Sequence, residues 1–225
     1  MNDNKIIAVD GPSGAGKSSV SRRVGAALGF IHVDSGALYR IATWQCLAAG
    51  VDCADAAAVA AVVSKLEVDC SPEQGEMVDR VGGVVPGDCL RTPAINAHAS
   101  QVAAVREVRD FVTALLRSMV RCGNLIVEGR DITTAVFPDT PARFYLTASA
   151  EARARRRHRE EVAKGIAGGN EAAVRESLLA RDRLDSTRTI APLRKADGVL
   201  EIDSSDLTLD EVVEAVIAAL PEAWR

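Results

Sequence analysis

Paired cysteines and long apolar runs are both missing from this chain. The five cysteines, Cys46, Cys53, Cys70, Cys89 and Cys122, stand singly with no CxxC pair, which argues against a disulfide framework or a zinc site. They read as reduced, small hydrophobes of a cytoplasmic protein. No apolar stretch approaches the roughly 20 residues needed to span a bilayer, and the opening MNDNKIIAVDG holds only a short apolar run. No export signal, anchor or membrane partner is therefore expected. A dominant charge is missing too: the net −4 is spread over mixed Lys, Arg, Asp and Glu, so nothing at whole-chain level suggests a nucleic-acid coat.

With 48% apolar residues among 225, the chain can bury an ordinary core and reads as one domain with insertions. Five short β-rich segments recur at Ile6 to Val9, Phe30 to Val33, Leu125 to Val127, Phe144 to Leu146 and Val199 to Ile202. Amphipathic helical patterns separate most of them, the layout of an α/β protein with a parallel sheet covered on both faces. Val20, Val24, Ala27 and Leu28 share one such stripe, Leu38, Ile41, Ala42 and Leu47 another, and Val212, Val213, Val216, Ile217 and Leu220 a third.

Two stretches break the alternation. Residues 64–92 carry short apolar pieces around Glu67 to Cys70, Met77 to Val78 and Val84 to Val85, punctuated by Ser71-Pro72, Gly82-Gly83 and Pro86-Gly87. They predict a small antiparallel insert, a pattern that a simple surface excursion also fits. Lys164 to Gly169, KGIAGG, separates an Arg-rich helix over Glu151 to Ala163 from another starting near Asn170, which suits a closing lid or an ordinary helix-helix turn.

The most specific local signal follows the first strand: Gly11-Pro12-Ser13-Gly14-Ala15-Gly16-Lys17-Ser18 is a full GxxxxGK[ST] pattern that opens a helix. Glycines let backbone N–H groups turn inward around phosphate oxygens, and the helix N-terminus adds its positive end. Lys17 is expected to reach the β- and γ-phosphates from a solvent-facing position, and the Ser18 hydroxyl to ligate Mg²⁺. Strand, loop and helix stand where nucleotide binding needs them, yet such a loop names no reaction.

Candidate acceptor groups follow the later strands. Asp34-Ser35-Gly36 and Arg40 come after the second strand, beyond whose carboxyl end ligands collect in open α/β sheets; Asp34 and Ser35 serve equally as helix N-caps. Arg130 and Asp131 follow Leu125 to Glu128, suiting an acceptor phosphate and a sugar or base, or a structural ion pair. Glu128 either orders Mg²⁺-bound water or supports the arginines. Arg106 and Arg109 lie one turn apart behind Ser100-Gln101, a spacing that puts both on one helix face, with surface charge the plain reading of Arg106. Arg153, Arg155, Arg156, Arg157 and Arg159 crowd one helix, followed by Arg181, Arg183 and Arg188. Glutamates interrupt them and no aromatic residues interleave, unlike a nucleic-acid surface. Arginines on a lid instead meet the charge that develops in phosphoryl transfer, and Arg157, Arg181 and Arg188 are the ones chosen for it, the rest being read as solvated. Asp182 and Asp185 sit among them as structural partners, with Asp185, in an irregular stretch, also able to face substrate.

Taken together, DGPSGAGKSS (Asp10 to Ser19), DSGALYR (Asp34 to Arg40), LRT (Leu90 to Thr92), SQVAAVREVR (Ser100 to Arg109), EGRDI (Glu128 to Ile132), VFPD (Val136 to Asp139), YLTASAEARARRR (Tyr145 to Arg157) and RDRLDSTRTIAPL (Arg181 to Leu193) resemble the bacterial cytidylate kinases in order and over nearly the whole chain. The resemblance implies an adenylate-kinase-like P-loop kinase fold on a five-stranded parallel sheet, divided into a core (1–63, 93–157 and 184–225), an acceptor-binding insert (about 64–92) and an Arg-rich lid (about 158–183). It implies a cytoplasmic, monomeric enzyme that transfers phosphoryl from ATP with Mg²⁺ to CMP and dCMP, and no nucleic-acid partner. By the same resemblance the loop Gly11 to Ser18, Ser19 and Arg157 hold ATP; Ser35, Ser100, Arg109, Asp131 and Asp185 read cytidine; Arg40, Arg130 and Arg188 surround the acceptor phosphate; and Lys17, Arg130, Arg157, Arg181 and Arg188 are catalytic. Three positions depart from the family pattern: Ser19 for Thr, Lys195 for Pro, and Thr133 for Gly, the last expected to add bulk near the pocket. Kinases for UMP, AMP or shikimate are the enzymatic rivals, whereas a GTPase-type switch would want an NKxD segment that the chain lacks.

Overall fold

A computed structural model describes residues 4–163 and 170–225; the predicted hinge Lys164 to Gly169 lies outside them. The strands are β1 (Ile6–Asp10), β2 (Ile31–Asp34), β3 (Asp69–Glu73), β4 (Glu76–Arg80), β5 (Leu125–Gly129), β6 (Ala142–Thr147) and β7 (Leu200–Asp203). Between and after them run helices α1 (Lys17–Leu28), α2 (Ser35–Ala48), α3 (Ala56–Val63), α4 (Pro93–Val102), α5 (Arg106–Ser118), α6 (Ala150–Ala163), α7 (Glu171–Thr187) and α8 (Leu209–Ala218).

One seven-stranded sheet carries everything, in the order β3-β4-β2-β5-β1-β6-β7. The expected five parallel strands form its β2-β5-β1-β6-β7 part. The strand count needs correcting because the hairpin over residues 69–80 is hydrogen-bonded onto that sheet: β4 joins β2 in parallel at His32 and Glu76, and β3 pairs antiparallel with β4. Ser71-Pro72, expected as punctuation, falls inside β3. An edge strand tolerates proline because one side of its backbone has no ladder to complete. The turn is Gln74-Gly75, both at positive φ, and Val84 contributes only an isolated bridge to Val81.

Side chains along the central strands alternate between two cores. Ile6, Ala8, Leu125 and Val127 meet Leu38 and Ile41 of α2, Val59 of α3 and Val108, Val112 and Leu116 of α5. Ile7, Val9 and Ile126 meet Val20 and Val24 of α1 and Val212 and Val216 of α8. Burial on both faces explains why these strands read as apolar runs. Ala27, placed on the α1 stripe, is exposed because the helix presents a narrower face than its sequence suggests. Since β1, β2, β5 and β6 are parallel, the segments that leave their carboxyl ends gather along one edge, around a single cleft.

Candidate active site

The cleft holds about 630 Å³, within the range of small-molecule sites. Ser13 to Ser19, Ser35, Arg40, Ser100, Arg130, Asp131, Arg157, Arg181, Asp185 and Arg188 all line it, while Gly11, Pro12 and Arg109 are not among the residues that do. Segments distant in sequence thus meet because the parallel strands deliver them to the same edge.

The loop after β1 is shaped by its glycines. Gly11 has φ 152°, and a Cβ there would overlap the carbonyl oxygen of Leu146 on β6. Gly16, at φ 90°, caps α1 without any side-chain bond, so the helix opens toward the cleft with its N–H groups available to an anion. Lys17 corrects the expectation of a solvent-facing ammonium: it is 6% exposed, and Nζ donates to the Pro12 carbonyl at 2.9 Å. Burial, joined by the Arg130 charge, lowers its pKa to about 7, against the opposing pull of Glu128, Asp10 and Asp34. Phosphate placed beside Nζ would restore the ammonium.

Two further groups fix this loop, and sequence reasoning missed both. Arg153, read as solvated, is buried: Nη1 donates to the Ser13 carbonyl at 3.0 Å and pairs with Asp182 at 2.5 Å, while Asp182 accepts from the Ser13 N–H at 3.2 Å. The bases of α6 and α7 are therefore fastened to the donor loop. Asp10 is fully buried at the end of β1 and accepts from the Ile132 N–H at 2.8 Å, the Thr133 N–H at 2.7 Å and Thr133 Oγ1 at 2.6 Å. Burial lifts its pKa to about 6 despite those bonds. Thr133 was expected near the pocket; its side chain is fully buried and turned to Asp10 instead.

On the acceptor side, Asp34 makes no N-cap bond. Its carboxylate accepts from Arg40 Nη2 at 2.7 Å and lies 4.0 Å from Arg91. Burial pushes the Asp34 pKa up, but Arg40 and Arg91 outweigh it and hold the group below the usual carboxylate range. Ser35 Oγ donates to the Glu128 carbonyl at 2.6 Å. Arg109 and Arg106 do not share a face as expected: Arg106 is exposed, while Arg109 is buried, bonded to Asp131 and to the Ala103 carbonyl, with its guanidinium 5.4 Å over the Tyr39 ring.

Asp185 lies within α7, which continues to Thr187, rather than in an irregular stretch. It accepts from Arg130 Nε and Ser100 Oγ, each at 3.0 Å, and Arg188 comes within 4.0 Å. Burial raises the Asp185 pKa, yet Arg130, Arg181 and Arg188 together bring it below its ordinary value. Arg188 also stands 3.7 Å from Asp131, and its Nε donates to the Ala191 carbonyl at 2.7 Å. Arg157 sits at the rim, one-third exposed and paired with Glu160 and Glu161. What distinguishes the cleft electrostatically is its unmet donors: Arg40 Nε, Arg181 Nε, Arg188 Nη2 and the Tyr39 hydroxyl are buried without a hydrogen-bond partner. Several half-satisfied guanidinium groups around one space form a site for oxyanions. Tyr39 is another residue that sequence reasoning passed over.

The profile of the cytidylate kinase family matches residues 7–222. A cytidylate kinase of Streptomyces avermitilis is 43% identical over 219 residues, covering 96% of this chain and 93% of the relative. One of Nocardia farcinica is 44% identical over 210 residues, covering 93% and 90% respectively. Among solved structures, an uncharacterized protein from Eubacterium ventriosum shares the fold with a TM-score of 0.51 at 11% identity, over 96% of this chain and 97% of its own.

Proposed function

From the premise that the chain belongs to the cytidylate kinase family, and is thus an ATP-dependent phosphotransferase acting on CMP, we propose that it moves the γ-phosphoryl directly and in line onto the 5′-phosphate of CMP or dCMP. The observation that carries this reading is the set of buried guanidinium donors without partners between the Gly11 to Ser18 loop and the β5 end. A second phosphate fits that space, whereas a water nucleophile alone would leave the acceptor-side arginines unused. No general base is required, because the acceptor phosphate is already mostly dianionic with a second pKa of about 6. Positioning and charge stabilisation then supply the catalysis.

In this assignment the loop and Ser19 hold the ATP phosphates, with Lys17 on the transferring group. Arg130 and Arg188 hold the acceptor phosphate with Arg40, and Arg157 and Arg181 meet the transition-state charge. Ser35, Ser100, Arg109, Asp131 and Asp185 read the cytidine. Leu207 and Leu209 line the donor end of the cleft near Ser204 and Arg156, an apolar edge against which the adenine would lie. Ser18 would hold Mg²⁺ on the nucleotide, with Asp34 and Glu128 in the same cleft completing a hard-oxygen donor set. Bound there, the ion would neutralise charge on the transferred phosphoryl.

We assign the protein to the cytoplasm as a monomer whose partners are nucleotides, not nucleic acid or membrane. Its free cysteines, including the exposed Cys89, support a reducing compartment, and no described helix is long and apolar enough to cross a membrane. We divide the chain into a core (1–63, 93–157 and 184–225), an acceptor insert (64–92) and a lid (158–183).

A coupled assay of ADP release at fixed ATP, with CMP, dCMP, UMP, AMP, GMP and dTMP supplied in turn, tests the function. CMP and dCMP should lead the series. UMP turned over as well as CMP would make the enzyme a general pyrimidine nucleotide kinase, and phosphate release without any acceptor would make it a switch.

The lid assignment has its own measurement. With Asp182 clamped to Ser13 at the base of α7, closure is confined to the part of α6 and α7 farther from the loop. Saturation with ATP analogue and CMP together should slow amide exchange across residues 158–181 more than in α8. Equal protection of both, or of neither, counts against closure.

A further inference from the structure

Asp10 is a fully buried carboxylate that the phosphoryl-transfer assignment leaves without a task. It ends β1, yet its side chain reaches the segment after β5: Oδ1 accepts from the Ile132 N–H at 2.8 Å, and Oδ2 from the Thr133 N–H at 2.7 Å and from Thr133 Oγ1 at 2.6 Å. That segment, Ile132–Val136, is a single wide helical turn whose Thr134, Ala135 and Val136 N–H groups all return to the Asp131 carbonyl. The first N–H groups of such a turn have no partner inside it. Ile132 and Thr133 are buried, so water cannot serve them either.

The residue placed to cap this turn is Asp131. An aspartate at the N-cap ordinarily accepts from the N–H two or three residues on, which here belongs to Thr133 or Thr134. Asp131 makes no such bond. Its carboxylate turns instead to Arg109, with Arg188 3.7 Å away, and lines the cleft. Asp10, level with Gly129 in the β1–β5 pair, takes the Thr133 N–H that Asp131 would otherwise accept.

We propose that Asp10 is a positioning residue for the acceptor: by capping the turn from β1 it leaves the Asp131 carboxylate free to face the cytidine. The Thr133 hydroxyl adds a third donor to the same cap, at a position where the family pattern has Gly. Without Asp10 the Thr133 N–H is left buried and unmet, and Asp131, already at the cap position, is drawn back to accept it. A bond that Asp131 makes to its own turn is one withdrawn from Arg109 and from substrate.

This inference rests on the active-site assignment above, and a double-mutant cycle of Asp10→Asn with Asp131→Ala, read as kcat/KM for CMP, tests it. Asparagine keeps the size of the side chain and one acceptor oxygen but sets an amide N–H against a backbone N–H. Asp10→Asn should lower kcat/KM for CMP by roughly 10- to 100-fold, the effect of one buried donor left unmet, with most of the loss in KM for CMP and KM for ATP changing less than about threefold. In the Asp131→Ala background the same change should cost less than about threefold, because no carboxylate remains to be withdrawn. Losses that multiply in the double variant, or a KM for ATP that rises as far as that for CMP, make Asp10 a general brace of the donor loop and overturn the proposal. Wild-type behaviour of Asp10→Asn does the same. Should Asp10→Asn fail to fold, Thr133→Val decides by the same cycle: it should lose about fivefold, one neutral hydrogen bond, only where Asp131 is present, and Thr133→Ser should keep wild-type values. A loss that persists in Thr133→Ser or in the Asp131→Ala background, or no loss at all, overturns the proposal. Absence of CMP phosphorylation in wild type would instead overturn the active-site assignment itself.

Discussion

Lys17→Ala should lower kcat for CMP phosphorylation by roughly 10²–10³ or more, the loss seen when one preorganised donor to a developing anion is removed, while the protein stays folded. The two halves of this result come from the same burial. Nζ is held inside the loop by the Pro12 carbonyl, where it has lost water and gained only one neutral acceptor, and its pKa falls to about 7. The folded state therefore binds this proton less tightly than the unfolded chain does. For a lysine lowered from 10.5 to about 7, stability declines as pH falls through that window, at about 1.4 kcal/mol for each pKa unit. Near neutral pH the empty enzyme thus holds this lysine largely uncharged while the unfolded chain keeps it protonated, a cost that bound phosphate relieves. Alanine removes the cost together with the catalysis, so the variant should unfold no more easily than wild type near pH 7.5. At alkaline pH, as the unfolded chain also sheds the proton near its ordinary 10.5, any advantage of the variant should shrink. Thermal scans at both pH values beside the ADP assay check this. Turnover near wild type would sink the role of Lys17 at the transferring phosphoryl, and an unfolded variant would show that the lysine is structural.

The burial of Lys17 also marks where sequence reading stops. The loop could be recognised because its glycines and lysine have a fixed spacing and follow an apolar strand. The loop's conformation and the charge around Lys17 depend on Leu146 behind Gly11, Arg153 on Ser13 and Arg130, which arrive from elsewhere in the chain. The five parallel strands were legible because burial on both faces leaves uninterrupted apolar runs such as Ile6 to Val9. The hairpin β3–β4 was legible as antiparallel, but its attachment to β2 was not: that contact consists of His32 and Glu76, polar residues with no periodic pattern. Pro72 looked like a break because proline usually is one, and only an edge position makes it compatible with a strand.

Charged residues were hardest to sort. Arg153 and Arg155 look alike in sequence, yet α6 turns the first onto Ser13 and Asp182 and the second into solvent. Asp10 reads as a strand terminus, and its reach to Ile132 and Thr133 joins the donor loop to the acceptor loop across the β1–β5 pair. In each case the missing information is the identity of a partner more than a hundred residues, or a helical turn's worth of rotation, away.

The choice of base should show a comparable effect when its readers are changed. Ser35 gives its hydroxyl proton to the Glu128 carbonyl, so toward the cleft it offers lone pairs alone. The exocyclic amine of cytosine can donate to such an oxygen, whereas the carbonyl of uracil at that position meets it with a second acceptor. Arg109 supplies the opposite polarity: it has no acceptor atom, and a guanidinium pinned by Asp131 and the Ala103 carbonyl can serve cytosine N3 but not the N3–H of uracil. Two adjacent mismatches, each leaving a buried group unmet at about 1–3 kcal/mol, make wild type prefer CMP over UMP by at least roughly tenfold in kcat/KM. Ser35→Ala should narrow that ratio mainly by weakening CMP. Arg109→Met should do more, because it also strips Asp131 of its closest cation, and removing one partner of a buried ion pair costs about 3–5 kcal/mol; Arg188, 3.7 Å away, offsets part of this. A fall of roughly 10²–10³ in kcat/KM for CMP is expected there, with dCMP falling in parallel if the base contacts dominate over the 2′-hydroxyl. The measurement is kcat/KM for CMP, dCMP and UMP in the three proteins. Equal rates with UMP and CMP in wild type would remove the cytosine assignment, and an Arg109→Met enzyme with wild-type rate and preference would move the base pocket to other residues.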